Sequence, residues 1–127
     1  MRDYFNSSIQ GILSLAHPNT SRSDLQALYE VLLQEELQEY LKEPKGSLNA
    51  YKELLDVLWV LLMLSGTYNF DVDNGLDALS DEFGSKFTQD KDGNPMGEYN
   101  ENGKLLKGKN FKSCLPKLKE LYDSRCS

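Results

Sequence analysis

The run LLDVLWVLLML, Leu54 to Leu64, constrains the fold of this chain more than any other stretch. It is apolar everywhere except Asp56, and so on nearly every face of a helix. Such a helix has to be covered on all sides. The run is far short of the ~20 residues that span a bilayer, so protein must do the covering. The chain has 127 residues, of which 39% are apolar. That allows one core of ordinary size and leaves little to wrap a whole helix. The expectation is an all-α bundle that packs this helix against a second copy of the chain, as a homo-oligomer, either dimer or tetramer.

The flanking segments share the helical period. Tyr4 to Leu15 has a fair apolar stripe, broken by His17-Pro18. Ser21 or Ser23 can cap a second helix, with Asp24 in its first turn. From Leu25 the apolar positions 25, 28, 29, 32, 33, 37, 40 and 41 follow a 3.6-residue period as far as Pro44 and Gly46. Ser47 can cap a third helix that runs to about Leu64 or Tyr68. Phe70 to Phe87 adds a shorter one, with Leu76, Leu79 and Phe83 on one side. A last short helix covers Leu115 to Tyr122, with Pro116 in its first turn. Between these two, TQDKDGNPMGEYNENGKLLKGKNF is rich in turn signals, and reads as a β-hairpin around Asn102-Gly103 or as an irregular tail. No internal repeat is visible. The fold expected is therefore an antiparallel bundle of four to five helices, one domain over 1–127, with a helical core in 1–87 and a Gly/Lys-rich tail in 88–127.

A net charge of −6 gives no electrostatic footprint for nucleic acid. The opening MRDYFNSSIQGILSL has no leader-like apolar region. Cys114 and Cys126 lack metal-type spacing and read as free thiols. His17 reads as a surface-loop histidine. These features favour a soluble, cytoplasmic protein without a nucleic-acid or membrane partner.

The carboxylates carry the chemistry. Glu36 and Glu39 are three residues apart, as are Glu53 and Asp56, so each pair leaves one helix face within a turn. Glu39 stands five residues before Pro44, and Glu53 seven after Gly46. A tight turn makes the two helices antiparallel, which brings the pairs to similar height. Four converging carboxylates repel one another, and burying them unpaired is costly. Lys42 and Lys52 fall on other faces by this reading. A divalent cation then resolves the conflict, and hard oxygen ligands suit Mg²⁺, with Mn²⁺ as a substitute. The plainer alternative for EELQE is a solvated helix face. It is a weaker account of Asp56, whose neighbours are apolar.

EELQE followed by ELLD resembles the EExxE…ExxD signature of the MazG-like superfamily of all-α nucleoside triphosphate pyrophosphohydrolases. The later SKF…DGNPMGEYNENGKLLKGKNF…LPKL is similar to the tail of one MazG-like branch. The resemblance spans most of the chain and implies Mg²⁺-dependent hydrolysis of a (d)NTP between the α and β phosphates. By the same resemblance Glu36, Glu39, Glu53 and Asp56 match the metal ligands. Glu35 matches the first glutamate of the motif, and with Glu36 it is an expected catalytic carboxylate, orienting the attacking water or holding a second metal. Lys86, Lys104 and Lys107 match lysines that close over the phosphates, and as mobile point charges they suit that task. Trp59, one turn past Asp56, is a candidate to stack on the base, with core or subunit packing as the alternative. The branch has Ser-Asn where this chain has Glu82-Phe83 in DEFGSK, a departure that bears on nucleobase preference. Phe83 either packs or stacks on a base. Two other functions fit less of the sequence: a non-catalytic helical assembly protein, and a phosphoribosyl-ATP pyrophosphohydrolase, against which the tail speaks.

Overall fold

Serine caps begin the two longest helices. Ser21 Oγ accepts from Asp24 N at 3.1 Å, and Ser47 Oγ accepts from Ala50 N at 3.1 Å. Each satisfies an amide that the helix itself leaves free. The computed structural model describes residues 4–125. Among them are five helices: α1 Asn6–Ala16, α2 Arg22–Lys42, α3 Leu48–Thr67, α4 Val72–Gly84 and α5 Leu115–Ser124. The fold is mostly helical, as expected. The one sheet among the described residues is an antiparallel pair of two-residue strands, β1 Thr88–Gln89 and β2 Pro95–Met96. Among the described residues, no single helix is long and apolar enough to cross a membrane.

The chain forms two compact units that divide inside α4, the first ending at Asp73 and the second running from Asn74 to Arg125. In the first unit α2 and α3 form a hairpin, and α1 packs on α3. The turn between them needs Gly46, whose φ of +73° is hard for any residue with a Cβ. Ile9, Leu13, Leu25, Tyr29, Val60 and Met63 make the core. On α2 and α3 these residues lie in the half of the hairpin away from the turn. Gly66 lets α1 come close, since a Cβ there would collide with Ile9 Cγ2 and stand 3.0 Å from Leu13 Cδ1. Three α2 side chains then hold the end of α3. Arg22 donates to Gly66 O at 3.1 Å, Gln26 donates to Thr67 O at 3.1 Å, and Glu30 accepts from the Tyr68 hydroxyl at 3.1 Å.

Asp73 is 4% exposed and takes on a role that its sequence context does not announce. Its carboxylate accepts from Phe5 N at 2.8 Å and from Asn6 N at 2.9 Å. Phe5, at the start of α1, has no side-chain cap of its own. A residue 67 positions away in sequence thus supplies the negative group that the helix start favours. His17 also differs from its sequence reading. It is half-buried, and its Nε2 lies 2.9 Å from the Tyr29 hydroxyl, so it seals the end of α1 against α2.

The expectation that α3 is covered on all sides does not hold within the single chain. Val60, Met63, Gly66 and Thr67 are buried. Leu54, Leu55, Leu58, Trp59 and Leu61 remain 42–52% exposed. One hairpin partner and one short helix cannot surround a cylinder with apolar residues on every face.

The second unit contains a repeat that the sequence reading missed. Asp90 Oδ1 accepts from Asp92 N and Asn94 N, both at 2.9 Å. Asn100 Oδ1 accepts from Asn102 N at 2.9 Å and Lys104 N at 3.0 Å. Gly93 and Gly103 hold the same position, with φ of +82° and +83°. DKDGN and NENGK therefore build the same turn ten residues apart, under different letters. The bridge between Tyr99 and Leu105 makes the second turn a minimal hairpin, at the expected Asn102-Gly103. Cys114 is buried before α5, where its N donates to Glu82 Oε1 at 3.1 Å. Burial, and then Glu82, push its thiol pKa upward. Cys114 is a free thiol; Cys126 lies outside the described residues.

Candidate metal centre

Carboxylates from α2 and α3 meet in the half of the hairpin nearer the turn. One oxygen from each of Glu36, Glu53 and Asp56 lies within 4.8 Å of the others. Asp56 sits one turn after Glu53 on α3, and Glu36 faces them from α2. Glu36 Oε2 and Glu53 Oε2 are buried without a hydrogen-bond partner. Buried carboxylate oxygens without a partner, on residues that cluster, are what a hard cation would satisfy. An all-carboxylate donor set suits a hard divalent cation.

The electrostatics agree with that geometry. The Glu36 pKa is raised, first by burial and then by Glu39, Asp56 and Glu53. The Glu53 pKa is also raised by burial, with Lys52 opposing, and then by Glu39 and Asp56. In each case the folded chain penalises the charged form. Glu39 is exposed, yet it interacts with both Glu36 and Glu53. It stands at the edge of the cluster, while Glu35 is exposed and takes no part in it.

Lys52 corrects the sequence reading. Instead of lying on another face, its Nζ is 2.5 Å from Asp56 Oδ2 and 4.0 Å from Glu53 Oε1. The spacing from Lys52 to Asp56 is i,i+4, which stacks two side chains on one helix face. That spacing was the signal in the sequence.

Of the expected substrate groups, Trp59 is in the first unit and the three lysines are in the second. Trp59 is 48% exposed on α3, so it is not a core residue of the single chain. Lys86 and Lys107 belong to the second unit, with their ammonium groups over aromatic rings, Lys86 5.5 Å from the Phe83 centroid and Lys107 4.8 Å from that of Phe111. Phe83 is 53% exposed and meets Phe87 edge-on, so it packs without being buried. Lys104 is exposed at the end of the second turn. The same unit has a cleft of about 840 Å³ lined by Gly84, Phe87, Thr88, Gln89, Pro95, Lys109 and Asn110. Lys109 lines it, whereas the three lysines chosen from the motif do not. The chain matches no family model, no curated protein and no solved structure in comparisons with known proteins.

Proposed function

We propose that this chain is a Mg²⁺-dependent, MazG-like nucleoside triphosphate pyrophosphohydrolase. It cleaves a (d)NTP between the α and β phosphates to a (d)NMP and pyrophosphate, in the upkeep of nucleotide pools. One observation carries the reading: Glu36, Glu53 and Asp56 converge from two helices, with two buried oxygens left unpartnered. The order of the sequence motifs, carboxylates first and the Gly/Lys tail after, supports it.

In this reading Glu36, Glu39, Glu53 and Asp56 hold Mg²⁺, which Mn²⁺ can replace. When bound, the cation supplies positive charge against the triphosphate and makes a water more acidic. Glu35 orients the attacking water, and Glu36 takes up its proton. Lys86, Lys104 and Lys107 give positive charge to the phosphates, and Trp59 offers a flat face to the base. The chain works in the cytoplasm as a dimer or tetramer built through α3. A panel of NTPs and dNTPs with Mg²⁺, measuring monophosphate and pyrophosphate separately, tests the activity. Monophosphate and pyrophosphate in equal amounts is the expected result; orthophosphate release, or no turnover of any nucleotide, counts against it.

A second reading, a non-catalytic assembly protein, is favoured by the exposed apolar residues of α3. It requires an oligomer unchanged in EDTA and no pyrophosphate from any nucleotide.

A further inference from the structure

Lys52 sits at the metal centre without belonging to the motif that defines it. Its ammonium contacts Asp56 Oδ2 at 2.5 Å and lies 4.0 Å from Glu53 Oε1, so two of the three clustered carboxylates share it. The Lys52 side chain is 68% exposed, against 35% for Asp56 and 17% for Glu53. The charge is thus placed over the open side of the cluster, on a flexible four-carbon stem that can swing away at little cost. An ammonium and a divalent cation at the same Asp56 carboxylate repel each other, so a cation there weakens the Lys52 contact.

We propose that Lys52 is a tethered counter-ion that couples metal binding to phosphate binding. The proposal rests on the metal reading above. Without metal, Lys52 offsets the repulsion among Glu36, Glu53 and Asp56. A cation binding alone repels it and weakens its contacts with Asp56 and Glu53. A cation that arrives with an anionic phosphate gives the ammonium a new partner. Metal and phosphate then each raise the affinity for the other, as reciprocal linkage requires. The ligand class is a divalent cation complexed by a di- or triphosphate, in preference to the free cation.

Mn²⁺ affinity, measured by titration calorimetry and by the spin-resonance signal of free Mn²⁺, tests the idea on the full chain. Lys52→Met should bind Mn²⁺ alone about 3- to 10-fold more tightly than the parent protein, since a repelling charge a few ångströms away is removed. The same variant should bind the preformed Mn²⁺–pyrophosphate complex more weakly. Lys52→Arg keeps the charge and should stay near the parent in both titrations. The opposite signs of the two changes are the signature, and a fold defect would not produce them. Free-Mn²⁺ affinity that is equal or lower in Lys52→Met, or unchanged affinity for the complex, overturns the proposal while leaving the metal site standing. Failure of every form to bind Mn²⁺ overturns the metal reading and the proposal with it.

Discussion

Glu53 is the residue whose surroundings ask most of it. It is held against Glu36, Glu39 and Asp56, with one oxygen buried and unpartnered. Because its folded pKa lies above the ordinary 4.5, the native state holds its proton more tightly than the unfolded chain does. Its stabilising contribution is complete below the unfolded value and is lost as pH rises through the folded one. Metal-free Glu53→Gln, which mimics the protonated form, should therefore melt higher than the parent at pH 7.5. The difference should shrink as pH falls through the raised folded value and be gone below about 4.5. Thermal melts in EDTA across that range check this, and a gain that persists at low pH would contradict it. Mg²⁺ should raise the melting temperature of the parent more than that of the variant. Asp56→Ala should reduce pyrophosphate release by about 100-fold or more while leaving the helical circular-dichroism signal intact, as expected for loss of a metal ligand. Near-normal turnover by Asp56→Ala would remove that residue from the site.

At the scale of elements, the decisive contact is the close approach of α1 to α3. Gly66 allows it, because Ile9 and Leu13 occupy the space a side chain would need. Alanine is the better helix former by roughly 0.5–1 kcal/mol, so propensity alone favours Gly66→Ala. Overpacking a well-filled core costs about 1–3 kcal/mol, and Ile9 and Leu13 are both only 3% exposed, with little room to retreat. The clash wins, and Gly66→Ala should lower stability by about 1–2 kcal/mol in urea titration. An unchanged midpoint would mean that α1 can shift away without loss. The twin turns of the second unit illustrate a different element-level rule. A short polar side chain capping its own loop, followed by a glycine at positive φ, specifies the same turn whether the letters are DKDGN or NENGK.

For the whole molecule, what meets α3 decides the assembly. Leu54, Leu55, Leu58, Trp59 and Leu61 stay about half exposed on one helix, close in sequence to the clustered carboxylates. A patch of this kind on a small acidic protein is characteristic of a subunit contact. Light scattering at micromolar concentration should therefore give the mass of a dimer or tetramer, and Leu58→Asp should shift it toward the monomer. A monomeric parent protein would show that α3 serves some other contact.

What the sequence by itself determined is local in its physics. Caps at Ser21 and Ser47, breaks at Pro44 and Gly46, and a regular apolar period fix the extents of α2 and α3 within a residue or two. The spacing of Glu36, Glu53 and Asp56 follows from those extents and from antiparallel packing, so the cluster too was readable. Everything that depended on side chains reaching across space was not. Asp73 caps α1 from 67 residues away, and His17 bonds Tyr29, each set by where a distant group finds its partner. Helical period tells which face a residue leaves from. Only the tertiary structure decides what that face meets, and so it was the packed chain, not its letters, that left half of α3 uncovered.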